Sequence, residues 1–308
     1  MTARRHDRMA SDGFILVAVL WVLGALAALA SIYALYVANT AMAVAINDDA
    51  VKANALTAGA VELAAFELLK APEDRRPTRG AFTFRLRSAQ IAVEFCSEAA
   101  RIDLNAAPKE LFSGLFGALG AHPNDAAQYA DRIIGWRTTP SDNAQDKEAS
   151  LYGAAGLSYA PRAAPFEHVD ELWLVLGLPP SMVERAMSYV TVYSGRPEIN
   201  VLDAAPEVIA ALPEMTSERL SAFLGERGLL ARGGKPSDLA RLGPGRANAT
   251  IEGSKATRVT VRIALDNGRR INSEAVILVD GGDEPFRVLS WRADIDGQPS
   301  AFRPGMRP

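Results

Sequence analysis

Residues 14–46 run for 33 positions without one charged side chain, directly after a short basic leader, MTARRHDRMASDG, that ends in Gly13. A helix needs about 20 apolar residues to cross a bilayer core, so the run is long enough with residues to spare. It also exceeds the roughly 7–15-residue apolar region of a cleaved secretory signal, and no A-x-A-like site closes it. Arg4, Arg5 and Arg8 precede the run and few basic residues follow it. That asymmetry places the N-terminus in the cytoplasm and the chain beyond about residue 50 across the membrane.

The helical pattern outlasts the apolar run. Between 47 and 70 the sequence turns amphipathic, with Leu56, Ala60, Leu63, Phe66 and Leu69 at spacings of three and four on one helix face. Pro72 and the polar stretch PEDRRPTRG end it. One helix over 14–70 would be about 85 Å long. Its first half suits lipid, and its second half suits the surface of a folded domain.

Two alternating runs follow. Phe82, Phe84 and Leu86 share one parity, and Ile91, Val93 and Phe95 another, which predicts a hairpin turning near Ser88–Gln90. A matching set closes the chain. Val259, Val261, Ile263 and Leu265 alternate with polar residues, Asn267-Gly268 gives a tight turn, the return strand covers 271–279, and 288–291 is a further short strand. Between these groups, roughly 105–230 reads as helical. Helices are expected from Asn124-Asp125 through Tyr129, Ile133 and Trp136, over 167–176, over 180–190, and from Thr216 with Glu218 nearby. The fold class is therefore α+β: a long N-terminal helix packed on an antiparallel sheet, with a large all-α domain inserted between strands. The boundaries expected are a leader at 1–13, a membrane and amphipathic helix at 14–70, sheet at 75–104, a helical domain at 105–250, and closing sheet at 255–308. The segment 75–308 holds enough apolar positions for a core of its own.

Two phrases echo one another, RIDLNAAPKELFSGL at 101–115 and EINVLDAAPEVIAAL at 198–212. In each, an extended stretch leads to a polar residue suited to capping, Asn105 or Asp203, then to a proline suited to a first helical turn, Pro108 or Pro206, then to an apolar helix. Such phrases resemble the start of helix-hairpin-helix units.

The Gly13-Phe14 junction ahead of a long apolar helix resembles the leader of type IV pilins and type II secretion pseudopilins. Most of the chain is similar to the K-type minor pseudopilins of the type II (general) secretion pathway. The resemblance rests on that junction, on IDLNAAP, on IIGWR at 133–137, and on YAPRAAPFEHVDELWLVLGL at 159–178. It also rests on INVLDAAPEVIAALPEM at 199–215 and FRVLSWR at 286–292. The family usually has Glu at the fifth mature position; here that position is Ala18, a departure that K-type subunits share. The resemblance implies a pilin-like fold, processing between Gly13 and Phe14 by a prepilin peptidase, and methylation of the new amine. It implies a non-enzymatic subunit at the pseudopilus tip, initiating or capping assembly for the export of folded proteins. Its partners would be the I-, J- and H-type minor pseudopilins, the major pseudopilin, the inner-membrane assembly platform and membrane lipid. Its place would be the bacterial inner membrane, crossed once, with the C-terminal domain periplasmic.

K-type subunits can also bind calcium through an acidic loop in the helical insert. The corresponding stretch, RTTPSDNAQDKEASLY at 137–152, offers Asp142, Asp146 and Glu148, which are hard oxygen ligands suited to that ion. It lacks the acidic start of such loops, having Arg137-Thr138-Thr139-Pro140 instead, so a solvated loop is the simpler reading and calcium the weaker one.

Other classes fare worse. A membrane-anchored helix-hairpin-helix DNA receptor of competence type is the alternative, but the hairpin regions FGALGAHPND and LPEMTSERL are not basic, and net charge is −3. No nucleic-acid partner is expected. No catalytic spacing is present, and GGKPSDLARLGPG at 233–245 lacks the phosphate-loop pattern and reads as a surface loop. One cysteine, Cys96, excludes an internal disulfide, and three scattered histidines give no zinc spacing. Cys96 reads as a small buried hydrophobe, and Trp136 and Trp173 as core. N-terminal mass spectrometry of the membrane-extracted protein is expected to return Phe14 with a methylated amine; an intact Met1 or Thr2 terminus would contradict the processing.

Overall fold

The computed structural model describes residues 11–87, 89–140, 147–230, 248–280 and 284–293. Helix α1 spans Ser11–Leu69, 59 residues without a proline, and Pro72 follows its end. The chain divides into two compact units, 1–56 and 57–308. The first is the greater part of α1. Its stretch Leu16–Thr40 has a mean hydropathy of 2.3 and none of it is buried, so it has the length and composition of a membrane span.

The second unit begins with the last three to four turns of α1. Strands β1 (Arg79–Leu86) and β2 (Ala89–Ser97) form an antiparallel hairpin in which Phe84 faces Ile91. Four two-residue strands come next: β3 (Ile102–Asp103), β4 (Val190–Thr191), β5 (Ile199–Asn200) and β6 (Ala249–Thr250). The chain then returns to the sheet as β7 (Ala256–Leu265), β8 (Arg270–Leu278) and β9 (Arg287–Arg292). The spatial order is β1-β2-β7-β8-β9, antiparallel throughout. Strands β2 and β7 are therefore neighbours although residues 98–255 separate them, and the helices beyond α1 lie in that interval.

One face of the sheet is apolar and buried: Ile91, Val93, Phe95, Val259, Val261, Ile263, Ile271, Ala275 and Ile277. The opposite face carries polar side chains, among them the pair Glu94–Arg262 at 2.6 Å. Such one-sided alternation is what an antiparallel sheet with a single covered face requires. In the part of α1 that belongs to the second unit the buried residues are Thr57, Ala60, Val61, Ala64, Ala65 and Leu68. This stripe is displaced from the expected one. Leu63 and Phe66 are 43% and 58% exposed, and Leu69 is exposed too. Both stripes satisfy helical spacing, so periodicity could not choose between them. The fold uses the smaller side chains, which let the helix backbone approach its covering layer closely.

The turns follow their local chemistry. The β7–β8 turn has Gly268 at φ +85°, its N–H donating to the Leu265 carbonyl at 2.9 Å, while Asn267 Oδ1 accepts from the Arg269 N–H at 3.0 Å. The first hairpin turns one residue earlier than expected. Leu86 pairs with Ala89, and Gln90 already lies in β2 facing Arg85. Ala89 is buried and keeps the alternation, so the chain turns between Leu86 and Ala89, with Arg87 at φ 52°.

The helical region holds α2 (Lys109–Ala118), α3 (Pro123–Arg137), α4 (Lys147–Ala154), α5 (Pro180–Ala186), α6 (Pro206–Ala210) and α7 (Ser217–Leu230). Its core gathers Phe112, Phe116, Ile133, Tyr152, Leu172 and Ile209. Two expectations are corrected. The helix expected over 167–176 is a six-residue 3-10 turn, Val169–Leu174, closed by a capping box between His168 and Glu171. It goes no further because Gly177 (φ +80°), Pro179 and Pro180 follow. The helix expected over 180–190 ends at Ala186, because Val190–Thr191 pairs in parallel with Ile102–Asp103. Trp136 is core at 4% exposure, but Trp173, expected there too, is 49% exposed.

A unit starting at residue 75 would lack the buried stripe of α1. Removing it takes away on the order of 5 kcal/mol of apolar burial and uncovers an apolar face. A fragment of residues 57–308 is expected to be monodisperse with a sharp thermal transition, and a fragment of 75–308 to aggregate or lose its near-UV circular dichroism. Equal melting temperatures for the two would contradict this packing.

Candidate assembly surfaces and the junction that positions them

Where β2 leaves the sheet for the helical region, Glu98 is completely buried. Its carboxylate accepts two bonds from Arg258 of β7, Nε at 2.7 Å and Nη2 at 2.9 Å, and one from Arg101 at 3.2 Å. The Thr191 hydroxyl of β4 also donates to it. Arg258 in turn reaches Glu274 of β8 at 2.5 Å, and Arg101 Nε donates to the Ser188 carbonyl at 3.2 Å. Burial alone would raise the Glu98 carboxyl, but Arg258 and Arg101, with the bonds from Arg258 and Thr191, hold it down at about 2. Burial pulls against Arg258 as well, yet Glu98 and Glu274 raise it. Three strands and the start of the helical region thus share one ionic joint. Next to it, Ser97 Oγ accepts from the Ser254 N–H at 2.8 Å, so the residues flanking the long interval 98–255 are held together.

The two echoing phrases fold alike. In the first, Asp103 Oδ1 accepts from the N–H groups of Asn105 and Ala106. In the second, Asn200 Oδ1 accepts from the Leu202 N–H. In each, the N–H of the residue four further on returns to the backbone carbonyl, Ala107 to Asp103 and Ala204 to Asn200, both at 2.9 Å. Each loop is also held by an arginine from a following helix. Arg137 donates to the carbonyls of Leu104 (2.5 Å) and Ala107 (2.8 Å), and Arg227 to those of Val201 (3.2 Å) and Ala204 (2.6 Å). Asn105 and Asp203 therefore do not cap α2 and α6. Asn105 instead bonds both the N–H and the carbonyl of Phe166, and Asp203 takes Asn200 Nδ2 at 3.1 Å and lies 3.4 Å from Arg79 Nε. Aspartate or asparagine as the third residue of each phrase was the legible signal for these turns, and the arginines had none.

Three hairpins each place one residue in the left-handed region: Gly120 between α2 and α3, Gly177 before α5, and Glu214 between α6 and α7, at φ +90°, +80° and +60°. None presents a cationic apex. Arg185, beside the first, spends Nη1 on the Leu119 carbonyl at 2.7 Å, and Arg219 donates to the Glu214 carbonyl at 2.8 Å. The phosphate-cradling use of such hairpins is not favoured.

Of the processing and filament positions, Gly13 and Phe14 lie in the first turns of α1, and Ala18 is exposed on it. Asp142 and Asp146 lie outside the described residues, as does 233–245. Glu148 is in the first turn of α4, where its carboxylate lies 2.9 Å from Arg132 Nη1 and packs over Gly135. Among the described residues no group of three His, Cys, Asp or Glu converges. Cys96 is half-buried, and burial, ahead of the nearby Asp203, raises its thiol. Sequence reasoning missed which large apolar side chains stay exposed, as candidate contact surfaces. These are Leu63, Phe66 and Leu69 on α1, Val288 and Trp291 on edge strand β9, and Leu151, Tyr159, Trp173 and Leu174 on the helical region.

Comparison with known proteins bears on this arrangement. Residues 90–195 match the family model of type II secretion system protein K. The fold is similar to a chain in the crystal structure of the GspK-GspI-GspJ complex from the enterotoxigenic Escherichia coli type 2 secretion system. The TM-score is 0.55 at 16% identity, covering 80% of this chain and 97% of that one. No curated protein matches the sequence.

The joint also sets an acid limit. A carboxyl held below its ordinary value stabilises the fold above that value and ceases to do so as pH falls through the folded one. Glu98 is held from 4.5 to about 2, so its contribution, on the order of 3 kcal/mol at neutral pH, should fade between those values. Glu98→Gln, which takes a buried carboxylate from two arginines, is expected to cost about 3–5 kcal/mol at pH 7 in urea titrations. The gap from wild type should narrow as pH falls from about 4.5 towards 2; a pH-independent gap would contradict the ionic assignment.

Proposed function

We propose, from the match of residues 90–195 to the family model of type II secretion system protein K, that the chain is a minor pseudopilin at the tip of the secretion pseudopilus. It initiates or caps assembly of the filament and does so without catalysis. It assembles with I- and J-type minor pseudopilins, meets the H-type and major subunits below them, and is processed by a prepilin peptidase. It stands in the inner membrane on α1, with the C-terminal unit in the periplasm.

The observation that carries this reading is the interval 98–255 between paired strands β2 and β7. It adds a helical body with its own core to a pilin-like sheet and helix. Such bulk is compatible with an end position and would crowd subunits stacked at a regular rise. Ala18 supports the same reading. A carboxylate in hydrocarbon is expensive unless paired, so a subunit whose fifth mature position meets no further amine is better served by alanine. The fold similarity to a chain crystallised with GspI and GspJ supports the choice of partners.

Copy number tests the tip position. In sheared pseudopili this chain should be present at one or a few copies per filament, and deleting it should lower secretion and filament number while overproduced major subunit still polymerises. Detection along the whole filament length, near the abundance of the major subunit, would overturn the assignment.

A further inference from the structure

The uncharged run is too long for the bilayer it enters. At 1.5 Å per residue, 33 helical residues extend about 50 Å, against a hydrocarbon core of about 30 Å. Burying all of them would need a tilt of about 50°, outside the range of roughly 0–40° that membrane helices adopt. Part of the run must therefore stand in water, and the side chains indicate which part. Tyr33 and Tyr36 are three residues apart on α1, on one side of the helix, and both are exposed. Tyrosine belongs at the membrane–water boundary, where its ring is half in lipid and its hydroxyl is wet. From Phe14 to Tyr33–Tyr36 is about 30–34 Å, which matches the core at the modest tilt usual for such helices. The hydroxyls of Ser31 and Thr40, on either side of the tyrosines, each bond the carbonyl four residues back, at 2.8 and 2.9 Å, so the tyrosines alone mark the boundary. Beyond them comes Asn39, the first side-chain amide of the run.

We infer that the bilayer boundary on the side of the C-terminal unit lies at Tyr33–Tyr36, so that residues 37–46 are an uncharged helix standing clear of the lipid. The inference rests on α1 being a single membrane anchor, and it assigns lipid as the occupant of 14–36 only.

Cysteine scanning tests this, and the lone native cysteine makes it simple. In a Cys96→Ser background, the full-length chain, expressed without other pseudopilins, carries one of Val22→Cys, Leu26→Cys, Ala30→Cys, Thr40→Cys, Val44→Cys or Asp48→Cys. Membranes are labelled with an impermeant maleimide from the side of the C-terminal unit. Thiols at 40, 44 and 48 should label at least ~10-fold faster than those at 22, 26 and 30, because a thiol in hydrocarbon does not ionise. Protection of 40 and 44 with labelling only at 48 would overturn the boundary. Labelling at 30 with protection of 22 and 26 would overturn it in the other direction. Equal labelling at all six positions would show instead that α1 is no anchor at all.

Discussion

The bidentate pair between Arg258 and Glu98 is the interaction on which the second unit depends. It lies where the sheet hands the chain to the helical region, and through Glu274, Arg101 and Thr191 it touches β7, β8, β4 and the exit from β2. Two charges in such a place are costly to desolvate, and an apolar joint of equal volume could be as stable. What the ionic joint adds is direction. A planar guanidinium that must satisfy two carboxylates fixes the angle between strands and insert in a way apolar packing does not.

The helical region is organised by backbone carbonyls more than by side-chain pairs. Arg137 and Arg227 occupy the same role in two turns, each spanning carbonyls three residues apart. The resemblance between 101–115 and 198–212 is thus structural as well as verbal. The second phrase carries one extra residue before its proline, and the turn absorbs it after Ala204 without losing the clamp. The tight approach of α2 to α6 belongs to the same design. A side chain on Gly114 would stand 2.1 Å from the Ala211 carbonyl, so only glycine lets those helices meet.

Much of the fold was legible in the sequence. The long helix, the alternating strands and Asn267-Gly268 follow from short-range rules, and the structure bears them out. Failures came where two readings had the same period. The stripe through Leu63 and Phe66 and the stripe through Val61 and Ala64 are equally helical, and only the layer that covers α1 separates them. Asn105 and Asp203 had the right chemistry for caps but the wrong position, since Asp103 and Asn200 reach the amides first. Trp173 had helical spacing but sits on a 3-10 turn, whose tighter winding carries it out of the core. The exposed apolar side chains, and the arginines that reach across 23–33 residues to a carbonyl, leave no local signature.

The pairing of β2 with β7 across residues 98–255 bears on the order of folding events. Closing a flexible loop of that length carries an entropic cost of about 4–5 kcal/mol before a single ladder bond is made. A chain that tried to zip its central strands first would therefore nucleate slowly and leave an apolar sheet face open meanwhile. The contact between Ser97 and Ser254 offers another route. Once the helical body has condensed around its own core, its two ends emerge side by side, and the loop to be closed shrinks from more than a hundred residues to a few. The insert then acts as an internal template for the sheet, and the rate at which the outer strands register is governed by how soon the helices between them are done.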